Sequence, residues 1–223
     1  FLTSLFFLCG FISHAQNISI TAFGGSANYI GDLQEKNFSF SKIYPAYGVG
    51  LLYEISEKFN ARANITFGKL GASDKDGTKN KFRNLDFSTP ITDIHLGIEY
   101  NLLNLYERVA TPYIFAGISH FFFNPSTTDS FGNKVYLQPL GTEGQGFYKG
   151  RQKYKLNQFS FPLGGGIKLA LSDKVRLGIE GGLRITFTDY LDDLSTTYVE
   201  KSLLASNNGK QAVKFAFRGN EIK

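Results

Sequence analysis

The segment FNARANITF, from Phe59 to Phe67, alternates without interruption. Its odd positions are apolar and its even positions polar: Phe59, Ala61, Ala63, Ile65 and Phe67 against Asn60, Arg62, Asn64 and Thr66. A period of two places successive side chains on opposite faces of a β-strand. The same pattern returns between Val175 and Phe187. Alternating strands of about ten residues are typical of a transmembrane β-barrel.

Seven segments of this kind follow one another along the chain. They cover about 17–30, 44–56, 59–71, 90–102, 112–123, 157–171 and 175–187. Long connections (31–43, 72–89, 124–156) alternate with short or medium ones (56–58, 103–111, 172–174), so long and short ends segregate. Outer-membrane barrels keep short turns in the periplasm and long loops outside. We therefore expect an all-β fold, an eight-stranded antiparallel transmembrane β-barrel in the outer membrane.

Seven strands leave one position of such a barrel empty, and an unpaired strand edge in lipid is very costly. The last residues alternate only from Val213 to Phe217 before the pattern ends. We expect the closing strand to be truncated, which makes residues 16–223 a barrel domain incomplete at its C-terminus.

The first fifteen residues have the composition of a secretory signal peptide that lacks its basic start. An apolar run ends in Ser13-His14-Ala15, a small-residue cleavage site before Gln16. Cys9, the one cysteine of the sequence, lies in this segment. We expect residues 1–15 to be removed, which leaves a mature chain without thiol chemistry.

Composition narrows the possible partners. The sequence has 24 glycines, 22 phenylalanines and 12 tyrosines, and its net charge of +5 is dispersed among acids. A dispersed charge argues against nucleic acid as a partner. Basic loops fit anionic lipid headgroups, including those of lipopolysaccharide. Nothing in the sequence indicates a cofactor.

The polar faces of the strands carry charges of both signs. An eight-stranded barrel is narrow enough for side chains to fill, so we predict a plugged lumen held by a structural ion-pair network: Arg62, Asp93, His95, Glu99, Lys168, Arg176, Glu180 and Arg184. The alternative, a proton path or active site, is the weaker interpretation because buried charges must be paired in any case.

Residues that carry chemistry are few. Beyond the predicted cleavage site only His95 and His120 remain, and neither has the spacing of a catalytic triad, so we expect no catalysis. Asp189, Asp192 and Asp193 form a weak candidate cation site, for which a solvated acidic loop is the favoured alternative. With Asp32 and Tyr190 they are also the candidate outer-rim surface, a small cap or docking site.

The longest loop, from Asn124 to Gln158, contains five glycines and then a basic shoulder at Lys149, Arg151, Lys153 and Lys155. Its composition suggests a mobile loop. Contact with lipopolysaccharide phosphates and simple solubility are equally good explanations of the basic residues.

Several motifs at the strand ends look familiar: FGG at 23–25, NYIGDL at 28–33, ARAN at 61–64, GKL at 68–70 and DYLDD at 189–193. This set resembles the PorG-like family of outer-membrane barrels of Bacteroidota. The resemblance implies an accessory barrel of the type IX secretion system, which also serves gliding motility in some species. It implies association with a periplasmic ring and does not imply a translocation pore.

Three functional hypotheses follow. The first is a structural anchor for a secretion assembly, with the connection from Leu103 to Thr111 as its periplasmic contact through Glu107 and Arg108. The second is a surface barrel that binds lipopolysaccharide or other cells through its long outer loops. The third is an enzyme that acts on lipid A through His120, for which the sequence offers no further support.

Overall fold

A ring of eight antiparallel strands forms the body of the protein. The computed structural model describes residues 7–13, 17–34 and 43–222. For Phe7–Ser13 it describes the backbone and its strand pairing. The ring strands are β1 (Phe7–Ser13), β2 (Ile18–Ala27), β3 (Tyr44–Glu54), β4 (Phe59–Ser73), β5 (Asp86–Asn101), β6 (Ala110–Phe123), β9 (Asn157–Ala170) and β10 (Arg176–Thr186). Between β6 and β9, β7 (Ser126–Thr128) and β8 (Lys134–Tyr136) form a small hairpin. Helix α1 spans Lys201–Ala216, and 3-10 turns lie at Asp74–Asp76, Lys81–Arg83, Tyr190–Asp192 and Gly219–Glu221.

The pairing closes on itself. Each strand pairs with its neighbours in the order β1-β2-β3-β4-β5-β6-β9-β10, and β10 returns to β1. All seven strands expected from the alternation are present, with ends within a few residues of the expected ones. The exception is β5, which begins at Asp86, four residues before the expected start. It begins early because its pairing with β4 continues as far as Ser73. The all-β barrel expected from the sequence is confirmed.

The eighth position of the ring is occupied by β1. Cys9 lies opposite Phe23 of β2 on one side and Gly178 of β10 on the other. The sequence assigns this segment to a signal peptide and leaves the closing position empty; in the structure these residues supply the missing hydrogen-bond partners of both edges. Removal of residues 1–15 stays a prediction, and the residues at 14–16 that flank the expected cleavage site lie outside the described residues.

The two faces of the strands meet different surroundings. Outward side chains such as Tyr47, Val49 and Leu51 are exposed, and inward ones such as Asn64 and Thr66 are buried. An exposed apolar band that follows the strands is the surface that a bilayer covers, whereas a soluble barrel buries its apolar face. The alternation therefore indicates that the apolar outer face contacts lipid and that the polar inner face lines the lumen.

Inward glycines make room for large side chains in the lumen. Gly97 and Gly117 lie opposite each other on β5 and β6. A Cβ atom on either would come within 2.6 Å or 2.5 Å of the Nε2 atom of His95, closer than real contacts allow. The backbone must be bare there for the imidazole to lie against it.

The long loops fold together over one end of the ring into a cap, defined as residues 28–34, 74–85, 124–156 and 187–222. Most of the apolar core lies in the cap and the upper strands, including Tyr29, Leu85, Leu137, Leu191 and Phe215. The loop at 124–156, which composition suggests is mobile, is packed into the cap in the structure. Its glycines at 141 and 144 adopt φ of 57° and 82°, which form tight turns, and residues 141–145 between and beside them are buried.

Helix α1 replaces the strand remnant expected near the C-terminus. Val213 to Phe217 belong mostly to this helix, whose buried side chains include Leu204, Ala212 and Phe215. Five alternating residues are too few to define a strand, and the preceding residues supply an apolar helical face broken by a kink at Gly209. The helix packs onto the cap beside Leu140 and Phe147.

Candidate functional site

The lumen is the first place to look for function, and ion pairs fill it from top to bottom. Nearest the cap, Arg184 of β10 donates to the Asp93 carboxylate of β5 at 3.0 Å. The other Asp93 oxygen, Oδ2, is buried without a protein partner. Because water readily bridges such buried groups, this level of the lumen is expected to be hydrated.

At mid-height a second pair joins strands on opposite sides of the ring. The Arg62 guanidinium donates two hydrogen bonds to Glu180, at 2.9 Å and 3.2 Å. The Tyr113 hydroxyl donates to the same carboxylate at 2.9 Å. Arg62 also lies over the Phe115 ring, 4.2 Å from its centroid. A bidentate pair that also packs on an aromatic ring is a well-defined geometry.

Lower in the lumen, Glu99 accepts from several donors. Lys168 of β9, two strands along the ring from β5, forms an ion pair with it. Asn60 donates to the same carboxylate at 2.9 Å, and Arg62 lies 3.9 Å away. Lys168 and Glu99 each expose only 2% of the side chain. Two charges so completely removed from water are tolerated only as partners.

Little space is left around these groups. His95 is buried beside the Phe115 ring, and its Nε2 atom has no protein partner. The mid-lumen cavity that His95 lines has a volume of about 30 Å³. That volume holds about two waters and excludes a solute. The lumen at this level is therefore plugged.

The opposite end of the ring, here called the mouth, is crossed by the strap, defined as residues 102–109. Leu105 is buried beneath the ring. The Tyr106 hydroxyl donates to Glu54 at 2.6 Å and the Asn104 amide donates to Glu57 at 3.0 Å, which ties the strap to the β3–β4 turn. Glu107 and Arg108, the candidate periplasmic contact, are exposed on the strap.

A cavity remains at the mouth between the strap and the β9–β10 turn. Its volume is about 330 Å³, far larger than the mid-lumen space. Its lining includes Glu107 and Arg108 of the strap, Asp173 of the turn, and Arg176 at the start of β10.

Two predicted members of the network, Arg176 and His95, form no ion pair among the described residues. The Arg176 guanidinium lies over the Tyr106 ring, 5.5 Å from the centroid. Among the described residues it forms no ion pair, whereas Arg62, Lys168 and Arg184 each have a carboxylate. The prediction that Arg176 belongs to the ion-pair network is therefore wrong. Its place at the first position of β10 brings it to the mouth, beyond the reach of those acids.

The acidic motif after β10 lies in the cap, where two of its three carboxylates accept hydrogen bonds from hydroxyls. Asp192 is buried and accepts from the Tyr29 hydroxyl at 2.5 Å. Asp193 is buried and accepts from the hydroxyls of Thr142 and Tyr154, each at 2.6 Å. Asp189 is exposed. Among residues 17–34 and 43–222, no three His, Cys, Asp or Glu side chains converge where a metal ion would bind.

Burial sets the protonation of these two acids. It raises the pKa of Asp192 to about 8 and the pKa of Asp193 to about 6. Burial, and then the Asp192 charge, also raises the pKa of the Tyr29 hydroxyl. At neutral pH the Asp192 carboxyl is therefore largely protonated, whereas Asp193 keeps most of its charge and is stabilised by its two hydroxyl donors.

The outer-rim residues predicted from the sequence come together in part. The Tyr29–Asp192 bond joins the first and last long loops. Asp32 is exposed, and its backbone carbonyl accepts from Arg83 at 3.4 Å. Tyr190 stacks on Tyr154 with ring centroids 4.8 Å apart. These residues help to hold the cap, which leaves Asp32 and Asp189 as the solvent-facing members of the group.

Sequence reasoning missed Arg218, which fastens the end of the chain to the barrel. It donates to Asp86 and to Thr127, each at 2.8 Å, and to the Thr128 carbonyl at 2.9 Å. It also donates to Glu221 at 2.8 Å. No pattern marks this residue in the sequence, because its partners lie about 90 and 130 positions away.

His120, the other histidine considered, faces outward. It lies between the Phe122 and Phe159 rings, at centroid distances of 4.8 Å and 4.9 Å. Both phenylalanines are exposed on the outer surface of the ring. Among the described residues, no acid or nucleophile is hydrogen-bonded to this imidazole.

The fold and the filled lumen define the class: a transmembrane β-barrel of the outer-membrane type, plugged by its own side chains and capped by its long loops. The chain belongs to the family described as a domain of unknown function (DUF6089), whose model matches residues 1–209. Among the described residues, no helix is long and apolar enough to cross a membrane.

Comparison with solved structures finds a similar barrel. Ail, the attachment invasion locus protein of Yersinia pestis, in complex with the heparin analogue sucrose octasulfate, is similar over 84% of this chain and 100% of that chain. The two are 10% identical and the TM-score is 0.34. No curated protein matches this chain.

Proposed function

We propose that this protein is a structural barrel of the outer membrane that anchors a protein-secretion assembly and performs no catalysis. The observation that carries the proposal is the plugged lumen. Ion pairs fill it at three heights, and about 30 Å³ of space is left at its middle. A barrel without a usable channel acts through the surfaces that it presents on either side of the membrane.

The mouth supports a periplasmic role for one of these surfaces. The strap is held by two side-chain hydrogen bonds, and it presents Glu107 and Arg108 to solvent. A held segment with exposed charges suits recognition, because little ordering entropy remains to be lost on binding. The resemblance to PorG-like barrels makes the type IX secretion system the assembly that we propose, with gliding motility as a dependent function where the species glides.

Deletion of the gene tests this function. We expect a deletion strain to retain cargo proteins with the C-terminal sorting signal inside the cell, and a plasmid copy to restore export. Export of that cargo at the parental level in the deletion strain would reject the secretion role. Lipid A acylation in the same strain tests the absence of catalysis, since we expect it to be unchanged.

The cap supports a second candidate, a surface barrel that binds lipopolysaccharide or other cells. Phe131, at the tip of the β7–β8 hairpin, is 85% exposed, and Phe82 is also well exposed. Of the basic shoulder, Lys149 and Lys155 point to solvent, while Arg151 donates to cap carbonyls. Replacement of 129–133 by a plain turn distinguishes the two candidates: loss of adhesion with normal secretion favours this one.

A further inference from the structure

We propose that the mouth cavity binds a carboxylate from an acidic segment of a periplasmic partner protein, with Arg176 as the main contact. This inference rests on the proposed function and names the chemistry of the partner. Three observations carry it: the state of Arg176, the position of the cavity, and the charges on its walls.

The first observation is the state of Arg176. It is half-buried and forms no ion pair among the described residues, although every other inward cation of the predicted network has a carboxylate within 3.0 Å. The Tyr106 ring lies against it, at a centroid distance of 5.5 Å, without neutralising its charge. A guanidinium held in place and lacking an anion is prepared for a planar carboxylate, which it binds through two parallel hydrogen bonds.

The second observation is where the cavity lies. Arg176 is in the same inward register of β10 as Glu180 and Arg184, which face the lumen. The cavity of about 330 Å³ is therefore bounded by the strap and the inner side of the ring. A phospholipid of the surrounding bilayer contacts the opposite face of the strands. A ligand that comes from the periplasm reaches the cavity directly.

The third observation is the mixture of charges and apolar groups around the cavity. Arg108 adds a second cation, while Glu107 and Asp173 add two acids. A phosphate dianion would be repelled by those acids, whereas a peptide can offer a carboxylate to Arg176 and amide or basic groups to them. Val109, which is 72% exposed beside the cavity, provides apolar surface for a neighbouring side chain of the same peptide.

Site-specific crosslinking in living cells tests this proposal. The photoreactive residue p-benzoylphenylalanine replaces Val109, and the crosslinked peptide is identified by mass spectrometry. We expect Arg176→Glu to reduce the crosslink roughly tenfold or more, the loss typical of a partly buried charge pair. Lys174→Glu is the matched control, because it makes the same change of charge on the β9–β10 turn outside the cavity lining. Its crosslink should stay near the parental level.

Charge exchange provides the decisive step. When the acidic residue of the crosslinked peptide is replaced by arginine, the crosslink from position 109 should be restored in the Arg176→Glu protein. Folding is checked by the heat-dependent mobility of the barrel on a gel, and Arg176→Gln replaces Arg176→Glu if the latter does not fold. A crosslink that is indifferent to both Arg176 variants, or equally lost in Lys174→Glu, would overturn the proposal. So would a crosslinked phospholipid.

Failure of this inference can be told apart from failure of the secretion role. If deletion of the gene blocks export and Arg176→Glu does not, the anchoring function stands and the acidic contact is wrong. If deletion leaves export unchanged, the secretion role is wrong, and the crosslink still reports whether the cavity binds an acidic segment.

Discussion

Removal of the charge on Glu99 should destabilise the barrel from its lumen. Glu99→Gln keeps the shape of the side chain and the hydrogen bond from Asn60, but leaves the Lys168 ammonium without that carboxylate. Both side chains are 2% exposed, so solvent screening offers almost no compensation. Loss of one partner of a buried pair costs about 3–5 kcal/mol, and because the Asn60 bond is retained we expect a loss of about 3 kcal/mol.

The measurement is the free energy of unfolding in urea, followed by the gel mobility of folded and unfolded barrel in detergent or lipid. Glu107→Gln, an exposed change of the same kind on the strap, is the control and should stay within about 0.5 kcal/mol of the parent. The double variant Glu99→Gln with Lys168→Gln should recover part of the loss, because it removes both charges. A Glu99→Gln protein as stable as the control would refute the claim that ion pairs hold the lumen.

Three further outcomes are expected. Because burial raises the pKa of Asp192 to about 8, the folded cap binds more protons than the unfolded chain between about pH 4 and pH 8. Cap stability should therefore fall as pH rises through this range and level off above it, which hydrogen exchange at about pH 5 and 9 measures. Asp192→Asn should flatten this dependence. Gly117→Val should prevent folding or cost several kcal/mol, because its Cβ meets His95 at 2.5 Å, whereas Gly181→Ala has open space and should be neutral by gel mobility. Arg218→Gln should lower the free energy needed to open the cap by about 2–4 kcal/mol, because it loses hydrogen bonds to four partners. Faster proteolysis at sites beyond residue 187 would show this, and an unchanged cleavage rate would contradict it.

The strands could be predicted because one physical rule governs each position. A strand between lipid and a polar lumen must alternate, and Phe59–Phe67 does so at every residue. The same rule identified which charges face inward. It gave no information on which acid each cation meets, since Arg62 and Glu180 are separated by 118 positions and are brought together only by ring closure.

Arg176 shows the limit of that rule. Its place in the alternation correctly predicts a side chain on the inner face of the ring. The alternation does not show how far along the lumen a side chain lies, and that depth decides whether a carboxylate is within reach. The ring places it at the mouth, against Tyr106 of the strap. The same position, away from the acids of the lumen, leaves Arg176 available to the acidic partner that we propose.

The cap could not be predicted, because its loops have no period. In the sequence, Asp192 and Asp193 look like cation ligands. In the structure they accept hydrogen bonds from the hydroxyls of Tyr29, Thr142 and Tyr154, which belong to two other loops. Helix α1 was missed for a similar reason, since its apolar face is short and interrupted at Gly209. The segment Phe7–Ser13 is ambiguous in another way, because an apolar stretch suits both a secretory leader and a strand in lipid.

The central claim is that the lumen is plugged and that the protein acts by contact. Single-channel recording of the purified full-length protein in a planar bilayer tests it most directly. Ion pairs at three heights, a buried Leu105 at the mouth and about 30 Å³ of mid-lumen space predict a silent membrane at neutral pH. Stable, stepwise ion conductance from the folded barrel would contradict the account.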